Sequence, residues 1–114
     1  GAPGNKGVSR RPGIGQAVSE SADVVYLTSD DPQYEDPNAI ADEIQAAITN
    51  KDVVINREMD RTIAITEAIK AAGPNDVVVL AAKGLDEYQK VGGVDTPYEN
   101  DWAVAQRVVN ELEA

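Results

Sequence analysis

An α/β fold, a Rossmann-like and mostly parallel sheet with helices on both faces, is what this 114-residue sequence predicts. The runs VVYLT (24–28), VVIN (53–56) and VVVLAA (77–82) are continuously apolar and largely β-branched, the pattern of strands buried on both faces. Helical periodicity fills the stretches between them. Strand and helix alternating at this length give parallel strands joined by right-handed crossovers.

The chain opens on GAPGNKG (1–7), a glycine-rich loop with no strand before it. Such loops normally follow a strand in α/β folds. The first strand of the sheet is therefore expected upstream, with residues 1–114 one domain cut from a longer chain. Residues 12–22 are expected to be helical in spite of Gly13 and Gly15. Asp36-Pro37 reads as an N-cap followed by proline at the first helical position. That helix runs to about Thr49, with Ile40, Ile44, Ala47 and Ile48 on its apolar face. A second covers 58–72, carries Ile65, Ala68, Ile69 and Ala72 on one side, and stops at Gly73-Pro74. In YQKVGGVDTPY (88–98) the alternation breaks, and Gly92-Gly93 between two extended segments predicts a β-hairpin near the end of the sheet. The last helix follows an Asn100-Asp101 cap, with Ala105, Val108, Val109 and Leu112 on one stripe.

Composition removes several function classes. There is no cysteine and no histidine, so disulfides, thiolate metal sites and the commonest general base are excluded. A cysteine-free chain without a leader pattern fits a cytoplasmic setting. No apolar run approaches the roughly 20 residues needed to span a bilayer, so no membrane insertion is expected. A formal net charge of -10 argues against nucleic acid as a partner. The one basic concentration is Lys6, Arg10 and Arg11, enough to hold a single anionic group.

Ligands in open parallel sheets sit outside the carboxyl ends of the strands. Three charged loops are expected there: GAPGNKGVSRR (1–11), SDDPQYEDP (29–37) and KGLDEYQ (83–89). The first matches neither the phosphate loop, since Gly7 follows Lys6, nor G-x-G-x-x-G, since its glycines are spaced by three. It is either a cradle for a carboxylate or phosphate, or a turn with solvated bases. In the second, Asp30 and Asp31 depart from EF-hand order. They either shape a turn or accept hydrogen bonds from an ammonium group. The third places Lys83 and Gly84 ahead of Asp86, whose carboxylate can also meet an ammonium. Cations on one side and carboxylates on the other complement an amino acid, and no nucleophile–base pair is visible.

These three segments together resemble the C-terminal domain of the Mur ligases, over essentially the whole chain, and most closely the members that add the third residue to a UDP-N-acetylmuramoyl peptide. GAPGNKGVSRRPGIG is similar to the family's glycine-rich opening. SDDPQYEDPNAIADEI resembles its D-[ND]-P-x-x-E-[DE]-P segment, and AAKGLDEYQKVGG its GKG-x-[ED]-x-Y-Q segment and hairpin. The resemblance implies an ATP-dependent amide-forming ligase. Its ATP and Mg²⁺ are bound mainly by a central domain outside this chain, so residues 1–114 alone are expected to be inactive and to carry no catalytic residue and no metal. It further implies that Lys6 faces the incoming amino acid's carboxylate, that Asp30, Asp31 and Gln33 form the specificity motif, and that Asp86 binds the ammonium. Gly4, Asn5, Lys83 and Gly84 become nucleotide or backbone contacts, with Ala82 standing where the family has glycine. Enzymes adding meso-diaminopimelate carry arginine at the position of Gln33, to fork onto a second carboxylate. Gln33 and Asp31 favour L-lysine instead, with ornithine next. The implied partners are the UDP-muramoyl dipeptide, the diamino acid, and the N-terminal and central domains of the same protein. The alternatives are a folate-polyglutamate or cyanophycin-type ligase domain, or a non-catalytic amino-acid-binding module.

Overall fold

A computed structural model describes residues 1–113. The elements run in the order α1 (Arg10–Ser21), β1 (Val24–Leu27), α2 (Pro37–Ala46), β2 (Val54–Arg57), α3 (Arg61–Ala71), β3 (Tyr88–Val91), β4 (Val94–Pro97) and α4 (Asp101–Glu113). β1 and β2 pair in parallel, Val24 opposite Val54 through Leu27 opposite Arg57, joined by α2 as the crossover. β3 and β4 form the antiparallel hairpin around Gly92-Gly93. A single bridge from Gln33 to Val91 ties that hairpin to the loop after β1.

Caps start α2 and α4 where the sequence places them, and α3 three residues after its expected start at 58. The Asp36 side chain accepts from the Asn38 amide at 2.8 Å, with Pro37 opening α2. Asp60 accepts from Ile63 at 3.1 Å at the start of α3, and Asn100 accepts from Ala103 at 2.7 Å at the start of α4. Pro12 is tolerated in α1 because its first-turn position needs no amide donor. At Gly15 a Cβ would overlap the Ile44 carbonyl and Ala47, so the glycine lets α1 lie directly on α2.

Two apolar clusters cover the sheet region. Ala2, Leu27, Ile40, Ala41 and Ile44 form one, with Ile14, Val25, Ile55 and Met59 packed against it. Ile65, Val104 and Val108 form the other, with Ile69, Leu80 and Tyr98 around them. On α4 the buried stripe is thus Val104 and Val108. Val109 and Leu112, expected inside, are exposed, because the face turned to α3 is centred on Asp101, Val104 and Val108.

The third expected strand does not form. Residues 77–81 are free of regular pairing, and Val77 and Val79 are 87% and 78% exposed. A cleft of about 730 Å³ separates this segment from β1, walled by Ile14 and Val18 of α1 and by Ala64 and Ala68 of α3. The run is apolar enough for a buried strand, but β1, the strand across that cleft, does not reach it.

Candidate amino-acid site at the carboxyl edge of the sheet

Lys83 is the hub of the edge where β1 ends. The side chain is buried. Its ammonium donates to Asp31 Oδ1 at 2.7 Å and lies 3.9 Å from Asp30 Oδ1 and 3.6 Å from Asp86 Oδ2. Below it the Tyr88 ring centroid is 4.6 Å away, a cation–π distance. Three of the predicted site carboxylates therefore converge on one point, from two loops more than 50 residues apart. Their net charge remains negative around a single ammonium.

The two adjacent aspartates are treated differently. Asp31 Oδ1 also accepts from the Lys90 amide at 3.0 Å, so this oxygen takes two donors. Asp30 is buried, yet no hydrogen bond to its carboxylate is found among the described residues. Only its backbone is fixed, by Gln89 Nε2 donating to Asp30 O at 2.8 Å. Burial first, and the neighbouring Asp31 second, push the Asp30 carboxyl above the ordinary range, against the pull of Lys83 and Arg61. A buried carboxylate short of donors is a poised acceptor for a ligand's ammonium.

Across the rim the glycine-rich loop lies against the loop after β1. The Gly4 amide donates to Asp31 O at 2.7 Å, and a Cβ there would overlap the Pro32 carbonyl. The Asn5 amide donates to Glu35 Oε2 at 2.8 Å, and its side chain accepts from the Tyr34 amide at 2.9 Å. Lys6 follows directly and is exposed. Arg11, read from sequence as a free cation, is instead buried and committed to Glu35 at 2.5 Å, to Glu43, and to the Pro3 carbonyl. Of Lys6, Arg10 and Arg11, only the first two are solvent-exposed. The Gly4 and Asn5 amides already have protein acceptors. No group of three or more acidic side chains able to hold a metal ion occurs among the described residues.

Gln33 sits in the left-handed region at φ +54. Its backbone is clamped on both sides, its amide donating to Lys90 O at 2.9 Å and its carbonyl accepting from the Gly92 amide at 2.6 Å. Ala82 is held at φ +89, a conformation that favours glycine. Gly84 O accepts from the Asp101 amide at 3.1 Å.

Sequence reasoning missed the node beneath this edge. Arg61, at the start of α3, makes two 2.8 Å bonds to Asp101, donates to Ser29 O at 3.0 Å and to Ala81 O at 2.9 Å. The Tyr98 hydroxyl donates to Asp101 Oδ1 at 2.6 Å. Burial raises the Asp101 carboxyl, but bonds from Arg61 and Tyr98 outweigh it and hold the group below its usual value. Burial, then the bond to Asp101, pushes the Tyr98 phenol up. A signal was present: a cation in the first turn of a helix opposes the macrodipole, so Arg61 needs another reason to be there.

Comparison with known proteins places the chain in a family. Residues 1–84 match the family model "Mur ligase, glutamate ligase domain". The chain is 55% identical over 113 residues to the UDP-N-acetylmuramyl-tripeptide synthetase of Lactobacillus acidophilus, covering 99% of this chain and 22% of that protein. It is 56% identical over 112 residues to the same-named protein of Ligilactobacillus salivarius, covering 98% and 22%. To the UDP-N-acetylmuramoyl-L-alanyl-D-glutamate--L-lysine ligase of Enterococcus faecalis it is 47% identical, covering 97% and 22%. The chain spans about a fifth of the length of these curated relatives. It belongs to the Mur ligase family, as a glutamate ligase domain.

Proposed function

We propose that residues 1–114 are the amino-acid-delivering domain of an ATP-dependent ligase that adds a diamino acid, L-lysine first, to UDP-N-acetylmuramoyl-L-Ala-D-Glu during peptidoglycan synthesis. The observation that carries this reading is the buried, donor-poor carboxylate of Asp30, gathered with Asp31 and Asp86 around Lys83. Asp30 and Asp86 receive the ammonium groups, and Lys6 the α-carboxylate. The relatives' names, one of them an L-lysine ligase, support the same substrate class. ATP and Mg²⁺ belong to the rest of the whole protein, where ATP activates the acceptor carboxylate.

The chemistry asked of this domain is orientation. A bound amine held against an activated carbonyl reacts without a side-chain nucleophile, and positioning alone supplies a large part of such rate enhancements. A chain with no histidine and no cysteine suits that task. The same reading makes residues 1–114 one domain of a longer protein, with a further strand entering the cleft beside β1.

Specificity centres on the clamped Gln33. A second carboxylate on the substrate finds no guanidinium there. In the full-length protein, kcat/KM for L-lysine is expected to exceed that for meso-diaminopimelate at least about tenfold, or about 1.4 kcal/mol. Gln33→Arg should move the ratio towards diaminopimelate. Equal turnover of the two amino acids by the unaltered enzyme would overturn the lysine assignment.

A further inference from the structure

We propose that Arg61 is a positioning residue for the amino-acid site, the strut that fixes the spacing of the two acidic loops; this rests on the proposed ligase function. Its guanidinium is 4% exposed and reaches both loops at once. One nitrogen, Nη1, donates to the carbonyl of Ser29, the residue before Asp30. The other, Nη2, donates to the carbonyl of Ala81, two residues before Lys83. Nε and Nη2 are anchored to Asp101, and the Asp101 amide in turn holds the carbonyl of Gly84, two residues before Asp86. Tyr98 fixes the remaining freedom of the Asp101 carboxylate. All three site carboxylates thus hang from segments tied to one buried ion pair.

No simpler group can make this set of contacts. The planar fork of arginine presents five donors in fixed directions. A lysine could keep the charge and one contact, but not bridge two carbonyls while facing Asp101 edge-on. The carbonyls of Ser29 and Ala81 come from segments that share no strand pairing with each other, so the loop spacing there is set by side-chain bridges, Arg61 below and the Lys83–Asp31 pair above. Arg61 also acts on Asp30 through space: its positive charge pulls that carboxyl down, so its removal weakens ionisation of the candidate ammonium acceptor.

The test uses the full-length ligase, with Arg61→Lys and Tyr98→Phe measured against Ile44→Val, a core truncation in the apolar cluster between α2 and β1. Arg61→Lys, which keeps the charge but not the fork, should raise KM for L-lysine about tenfold and leave KM for ATP and for the UDP-muramoyl dipeptide within about twofold. Tyr98→Phe, which keeps the ion pair and so the fold, should move the lysine KM in the same direction by a few-fold and carries the test if Arg61→Lys does not fold. Ile44→Val should lower Tm without changing any KM. If both node variants change Tm alone, leaving the three KM values unchanged as in Ile44→Val, Arg61 is only a core strut and the proposal is overturned. A wild-type enzyme that joins no amino acid to the dipeptide would instead overturn the ligase reading, and this inference with it.

Discussion

At the scale of single residues, the informative contrast is between Asp30 and Asp31. Adjacent in sequence, they carry the same charge, yet Asp31 is satisfied by Lys83 and the Lys90 amide while Asp30 lies buried with its carboxylate short of donors. The Asp30 carboxyl titrates above its unfolded value. Its contribution to stability is therefore fully present below the unfolded pKa and is lost as pH rises through the folded one. Asp30→Asn, a neutral near-isostere, should stabilise the protein at pH 7 by about 1 kcal/mol, with the gain vanishing near pH 3. Tm measured across pH checks this, and a variant less stable than wild type at pH 7 contradicts it. The same substitution in the full-length enzyme should weaken lysine binding, the trade between stability and function expected of a binding group. Sequence reading named both aspartates as candidates because they end an apolar run, but burial and donor counts are tertiary facts. Nothing in the string DDP separates a compensated acid from a poised one. Arg11 was misread for the same reason, since its acceptors Glu35 and Glu43 lie 24 and 32 residues away.

At the scale of elements, local signals were strong wherever a cap or breaker was present. Asp36-Pro37, Asn100-Asp101 and Gly92-Gly93 each mark a boundary that the structure keeps. Apolar stripes were less decisive. On α4 the sequence offers Ala105, Val108, Val109 and Leu112; the position of α3 selects only Val108 of these for full burial and adds Val104, one residue outside that stripe. The helix with the poorest sequence signal, α1, is explained by its glycines, and they separate cleanly. A Cβ at Gly13 meets nothing within 4 Å, whereas one at Gly15 overlaps α2. Gly13→Ala should therefore stabilise by about 0.5–1 kcal/mol, the usual gain from replacing glycine within a helix. Gly15→Ala carries the same intrinsic gain but must push α1 away from α2, and overpacking of this kind costs typically about 1–3 kcal/mol. It should come out net destabilising. Urea unfolding midpoints of the two variants should move in opposite directions; parallel movement would show that α1 does not depend on close approach.

At the scale of the whole molecule, the two helical pairs and their two apolar clusters enclose a sheet that has one open place. β1 pairs with β2 on one edge only. Residues 77–81 run across the cleft with Val77 and Val79 turned to solvent, although a run of this kind is expected inside a sheet. One more strand between β1 and residues 77–81, contributed by the segment upstream of Gly1 in a longer protein, would give both edges a partner and lie between α1 and α3. Full burial of each exposed valine contributes about 1.5–3 kcal/mol. At about 4–8 °C per kcal/mol for a domain of roughly this size, extending the protein upstream of Gly1 by its own next ten or so residues should raise Tm by more than about 5 °C. Amide exchange should slow in β1 and across 77–81, and not in the β3–β4 hairpin, which lies outside the cleft. Scrambling the added segment so that its apolar pattern is lost should return Tm to the starting value. If native and scrambled extensions stabilise equally, or protection appears only in the hairpin, the cleft does not receive a strand, and the exposure of Val77 and Val79 must be relieved by another surface of the parent protein.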